Sequence, residues 1–277
     1  MSISVIHRYL KKQTAYNKEP FAEKAMNHRG IMGLFGFFLF VVVWAAGGRF
    51  IFSRPEFVQF KGFLPLPSLK GLWTLLFMPH FWASVWASLS RVFIGLGVAF
   101  VVGFPVGLLI GFYRKVRIMS YPPMQFLRMV SPLAWMPIAL LLFSSFESAI
   151  CFIITMATVW PVILNTSLGV ARVNPGWIMM AKNQGASDFQ LFVRVIIPAS
   201  VPYILTSLRL ALGIGWIVLV PAEYLGVSSG LGYIINDARD TMAYDLLMAT
   251  LLAIGAIGFV LDGSLQMLRR VLNWSHD

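Results

Sequence analysis

Residues 172–202 read RVNPGWIMMAKNQGASDFQLFVRVIIPASVP. This is the long polar interruption in the second half of an apolar chain. It carries Arg172, Lys182, Asp188 and Arg194, a central Gly185-Ala186-Ser187, and Pro198 and Pro202 where the next apolar run opens. WIMMAKNQGA and DFQLFVRVII each suit a short helix, with a break at the glycine. A connector between two spans needs only a few residues, and long structured loops tend to be functional. The spacing therefore predicts two short helices that present a compact knob to a partner.

The rest of the chain says what the knob belongs to. Of 277 residues, 58% are hydrophobic and 12% charged, against roughly 25% charged in a soluble domain. The mean hydropathy is +0.76. Several long apolar runs then mean a polytopic all-α membrane protein. The net charge of +11 is not a nucleic-acid signal, because the cations cluster at span ends, where contact with anionic membrane lipid is expected. Cys151 stands alone, and His7, His28, His80 and His276 are scattered, so neither a disulfide nor a metal site is expected.

In chain order, residues 1–30 read as a basic tail and 31–46 as a first, uncleaved span. Residues 47–63 form an external connection, and Pro65 and Pro67 in the FLPLPS that follows rule out a helix there. Residues 71–90, with Trp73, Trp82 and Trp86, suit an interfacial helix leading into a second span at 92–112. Gly103, Gly107 and Gly111 there are spaced for close helix packing. A third span is expected at 129–143 with Pro132 and Pro137 inside it, a fourth at 148–170, a fifth at 203–220 and a sixth at 245–268. Placing both termini in the cytoplasm puts Arg114, Lys115, Arg117, Arg128, Arg172, Lys182, Arg194, Arg269 and Arg270 inside with the basic tail. Arg49, Arg54, Lys61, Lys70 and Arg239 fall outside, as the positive-inside rule requires. The 172–202 loop is then cytoplasmic.

Charged side chains in spans are costly and usually aim at a cavity or a partner. Arg209 either attracts an anion or pairs with a carboxylate, and the sequence leaves both open. Arg91 and Arg128 are further candidates for a translocation path, although pairing or snorkelling explains them as well. Trp160, Asn165, Ser207 and Trp216 suit either the path or helix packing. Glu223 is expected to order the 224–240 loop with Arg239, and Asp262 to pair with Arg269 or Arg270.

The loop resembles the signature of permease subunits of ATP-binding-cassette (ABC) importers. That signature is Glu-Ala-Ala, three residues, Gly, nine residues, an apolar residue, one more, and Leu-Pro. Ala181, Gly185, Ala186 and Ile197-Pro198 match it, whereas Met179 and Met180 stand where Glu and Ala are usual. The resemblance extends over 64–274 through LPLPS at 64–68, SLSRVFIGLGVAFVVGFPVGLLIG at 88–111, VSPLAWMPIAL at 130–140, VWPVILNTSLGV at 159–170, VPAEYLGVSSGLGYIINDARD at 220–240 and IGAIGFVLD at 254–262. These blocks look like the branch serving nitrate, bicarbonate, cyanate, taurine and alkanesulfonates.

The resemblance implies a type I importer fold, with the permease domain at 64–277. It implies ATPase contact through Met179, Met180, Ala181, Gly185, Ala186, Ser187, Ile197 and Pro198. It also implies a separate ATPase carrying ATP and Mg, an extracytoplasmic substrate-binding protein and a second permease copy. The chain has no G-x-x-x-x-G-K-[ST] loop to cradle phosphates, so no cofactor is expected on it. An ion-coupled secondary transporter working alone is the competing class. It would want acidic residues at mid-membrane, and Asp262 alone comes near. An intramembrane enzyme lacks a catalytic constellation.

Overall fold

The computed structural model describes residues 20–272, and most of the basic tail, including Arg8, Lys11, Lys12 and Lys18, lies outside them. Two compact units divide at Ser68/Leu69. In the first, α1 (Pro20–Phe52) runs through residues expected as tail and on through the first span. A 3₁₀ segment, Pro55–Phe63, follows. The Trp44 indole donates to the Phe63 carbonyl at 3.0 Å, and the Phe60 and Phe63 rings stack at 5.9 Å.

Helix α2 (Pro65–Leu76) corrects the expectation that Pro65 and Pro67 exclude helix. Both lie in the first turn, where the missing N–H groups would have had no intrahelical partner. The second unit continues with α3 (Pro79–Phe112), α4 (Arg114–Met129), a 3₁₀ turn (Pro132–Trp135), α5 (Met136–Leu142) and α6 (Phe146–Ala171). Next come α7 (Pro175–Asn183) and α8 (Asp188–Leu191), which passes through a π-helical turn (Phe192–Ile196) into α9 (Ile197–Tyr224). The described residues close with α10 (Leu231–Asp240) and α11 (Tyr244–Leu272).

Helix α6 is the axis of this unit, with α3 packed along one side and α9 along another. The glycines of α3 make the first contact. A Cβ on Gly95, Gly103, Gly107 or Gly111 would meet Ile154, Val162, Thr166 or Val170 respectively, at 2.6–3.1 Å. The offset is constant at 59 residues, 95 against 154 through 111 against 170, so α3 and α6 run parallel. By contrast, Gly169 faces Tyr203 and Gly215 faces Thr158, so α9 runs antiparallel to α6.

Parallel neighbours require the chain to recross between them. The start of α6 lies level with Arg91, which bonds Glu147 at 2.6 Å. At 1.5 Å per residue, about 31 Å of helix separates Arg91 from Phe112, close to the ~30 Å of a hydrocarbon core. Helix α4 makes most of this return, and α5 is folded across it at 87°. Met136 and Ala139 of α5 pack on Ala149 and Ile153, at the end of α6 that starts with Glu147.

The third crossing is therefore the bent pair 114–142, which starts earlier than the expected 129–143 and contains most of it. Its break falls at Val130 and Ser131, both extended, because the residue before Pro132 is pushed out of the α region. The same geometry carries Arg128, near the far end of α4, away from the loop end of the bundle. That corrects its grouping with Arg114 and Lys115.

The fifth span is also longer than the expected 203–220. It runs without a break from Asp188 to Tyr224. Pro198 cannot donate to the carbonyl four residues back, and just before it the Ile197 N–H reaches Phe192 in an i→i−5 bond. The π turn absorbs the proline without ending the helix.

The glycine seam yields a stability test. Gly107→Val puts a side chain 2.7 Å from Thr166 Cβ and 2.8 Å from the Ile163 carbonyl. Overpacking of this kind costs about 1–3 kcal/mol, so the detergent-purified variant should melt several degrees lower. Gly97→Val, with nothing within 4 Å, should melt as the parent does. Equal melting of the two variants would contradict the seam.

Candidate functional sites at the two ends of the bundle

Two constructions sit at opposite ends of the bundle, and the first is the 172–202 loop. Asn174 caps α7 by accepting from the Gly176 N–H at 2.8 Å, with Pro175 in the first helical position. At the other end of α7, Gly185 has φ +81. The Gly185 N–H reaches the Lys182 carbonyl at 2.9 Å and the Ala186 N–H reaches that of Ala181 at 3.0 Å. This pair of bonds is a Schellman closure, which needs a left-handed residue at the position of Gly185 and tolerates a small apolar contact between Ala181 and Ala186.

The spacing Ala181…Gly185-Ala186 thus has a local physical cause. Ser187 then starts α8 through a capping box with Gln190, with side-chain bonds of 3.0 and 3.3 Å. Two back-to-back caps make the turn stiff. Buried Val170, Val173, Leu191 and Ile196, with Leu108 of α3 against them, tie it to the spans. Its outward side is apolar: Met179 is 68% exposed, Met180 62% and Phe189 76%.

The second construction lies at the opposite end. Arg91 is 2% exposed in α3 and Glu223 0% exposed in α9. One Arg91 nitrogen bonds Glu223 and the Ser229 carbonyl. The other two grip Glu147 at 2.5 and 2.6 Å, and one of them also reaches Ser229 Oγ at 2.7 Å. Ser88 Oγ donates to the Glu223 carboxylate at 2.8 Å and accepts from the Leu231 N–H at 2.9 Å. The Gly232 N–H donates to Glu223 at 3.0 Å. Gly230, at φ +107, passes so close that a Cβ would lie 2.5 Å from both Arg91 Nη1 and the Glu223 carboxyl carbon. Every polar group of the buried pair has a partner, the condition under which such a pair is tolerated.

The sequence reading missed this clamp. Glu223 pairs with Arg91 and not with Arg239, which instead bonds Asp240 at 2.7 Å and lies over the Tyr224 ring. Two opposite charges embedded in apolar runs were the available signal, but they stand 132 residues apart. Asp262 likewise pairs with Arg209 and not with Arg269. The bond is a two-pronged fork at 2.7 Å joining α9 to α11, so Arg209 has a carboxylate partner here.

The remaining path candidates are dispersed. Trp160 packs with Val116 and Met124 on the cluster at Ala99, Ile110, Val159 and Ile163. Asn165 bonds the Pro161 carbonyl and Ser207 that of Ile204. Trp216 is in the main core, bonded to the Ile254 carbonyl at 3.3 Å. Arg128 is exposed, with no ion pair among the described residues.

Removing one partner of a buried pair strands the other charge, at a cost of about 3–5 kcal/mol. Arg91→Ala should therefore lower the melting temperature and membrane yield sharply. Arg91→Lys keeps the charge but not the fork and should fall between. If both variants melted like the parent, the clamp would be dispensable.

A family model described as binding-protein-dependent transport system inner membrane component matches residues 103–273. The chain is 34% identical over 253 residues to the bicarbonate transport system permease protein CmpB of Synechococcus elongatus, covering 87% of this chain and 88% of that protein. It is 34% identical over 188 residues to the nitrate import permease protein NrtB of Synechocystis, covering 68% of each.

The fold is also that of a MetNI methionine ABC transporter chain in an inward-facing conformation, at TM-score 0.59 and 17% identity over 70% of this chain and 98% of that one. A bacterial alginate ABC transporter chain aligns at TM-score 0.57 and 15% identity over 92% and 99%. A loop closed by Ala181, Gly185 and Ala186 and wired into a multi-pass bundle fits these matches. The chain belongs to the binding-protein-dependent transport system inner membrane components, the permease subunits of ABC importers.

Proposed function

We propose that this permease carries a small oxyanion of the nitrate or bicarbonate class inward, as one of two copies, and is driven by a separate ATPase docked on α7. The observation that carries the substrate class is the relatedness over most of the chain to permeases named for bicarbonate and nitrate. The substrate is delivered by an extracytoplasmic binding protein and the loop end faces the cytoplasm. Supporting that side, Arg114, Lys115, Arg117, Arg172, Lys182, Arg194 and Arg269 all lie toward the loop end, as cytoplasmic cations do.

The exposed methionines suit the docking. An apolar patch on a polar membrane face marks a protein contact, and unbranched Met adapts to a partner groove. Docking on α7 moves the spans because the caps are stiff and Leu191, Ile196 and Val173 are buried against α6. The competing reading, a transporter driven by an ion gradient, is weakened by the Asp262–Arg209 bond, which engages the carboxylate that comes nearest to what that reading would use.

Two variants test the coupling. Gly185→Val meets no neighbour within 4 Å but must adopt φ +81, a strain of about 1–2 kcal/mol. It should leave the spans folded while ATP hydrolysis in proteoliposomes loses its link to uptake. Met179→Asp with Met180→Asp should cut binding-protein-dependent uptake at least tenfold with membrane levels unchanged. Normal uptake in both variants would sink the docking assignment. For the substrate, isotope-labelled bicarbonate and nitrate uptake should each be competed by the other class member and not by an amino acid or an oligosaccharide.

A further inference from the structure

At the loop end, three guanidinium groups converge on one concavity. Arg172 comes from the turn after α6, Arg194 from the π turn and Arg269 from the end of α11, and all line a groove of 1020 Å³. Asn174, Gln184 and Tyr203 add polar lining, and no aspartate or glutamate lines it among the described residues. None of the three arginines takes part in the ion pairs among the described residues. Arg172 is steered by Tyr203, whose ring centre lies 5.9 Å from its guanidinium.

Cations at span ends are ordinary, and long side chains there normally spread into water. Orientation does not explain why three from separate elements share one cavity with no counter-ion among the described residues, since like charges repel. An anion relieves that repulsion. Guanidinium forks match phosphate oxygens two at a time. At about 30 Å³ per water, the groove has room for far more than a bare oxyanion.

We propose that this groove binds a phosphate group, presented by an anionic phospholipid headgroup or as free phosphate. The proposal does not depend on the substrate reading. Bound there, the ligand bridges α6, the start of α9 and α11 beneath α7, and so sets how rigidly the loop is held.

The test uses the full-length chain purified in detergent. Native mass spectrometry with phosphatidylglycerol or phosphatidylcholine, and thermal melting of delipidated protein with inorganic phosphate, separate the two sources. The parent should retain phosphatidylglycerol at least tenfold over phosphatidylcholine, or gain several degrees with phosphate. The variant Arg172→Gln, Arg194→Gln, Arg269→Gln should lose the effect while its ligand-free melting stays unchanged. Replacing all three by Lys should restore part of it. If the triple Gln variant does not assemble, exposed Arg194→Gln alone should weaken the effect measurably. A parent with neither lipid preference nor phosphate response, or Gln variants that match the parent, would overturn the site.

Discussion

Close approach of α3 to α6 is the constraint on which the second unit rests. Inside lipid, apolar side chains gain little by leaving one hydrocarbon for another, so helices associate through dense packing. Gly95, Gly103, Gly107 and Gly111 let the α3 backbone lie against Ile154, Val162, Thr166 and Val170. Because these contacts keep one register over four turns, they fix both the distance and the direction of the two helices. Parallel α3 and α6 then oblige α4 to recross, and α9 to descend antiparallel on the other side of α6.

That arrangement gathers the polar chemistry at two ends. At one, the start of α3, the start of α6 and the end of α9 meet, which brings Arg91, Glu147 and Glu223 into one network. At the other, the end of α6 and the start of α9 meet, and the 172–202 segment closes the gap. One end is locked by an ionic clamp, while the other is locked only by caps and an apolar cluster. The capped end is where an external motor is proposed to act.

Local signals were read well. The glycine spacing of α3, the break at Gly185 and the apolar runs depend on residues a few positions apart, so one-dimensional pattern carries them. The family is visible for the same reason: the Ala181–Gly185–Ala186 spacing is the hydrogen-bond geometry of a helix end. Proline was read too strongly. Pro65 and Pro67 begin a helix and Pro198 sits inside one, because its penalty depends on whether the lost N–H had a partner to lose. The third span was started too late because amphipathic α4, the first half of the bent pair, is less apolar than the 129–143 run beside it.

A helical membrane protein of the ABC importer permeases, with a polar loop after the fourth crossing, is legible in the chain alone. Composition and short-range spacing suffice for that. Only the tertiary structure decided which charges neutralise one another: Arg91 with Glu147 and Glu223, Arg209 with Asp262, and the three loop-end arginines with no carboxylate among the residues lining their groove. Those pairings join residues 53 to 132 apart. Burial enforces them, because a charge withdrawn from water must find its partner on whichever helix the packing brings alongside.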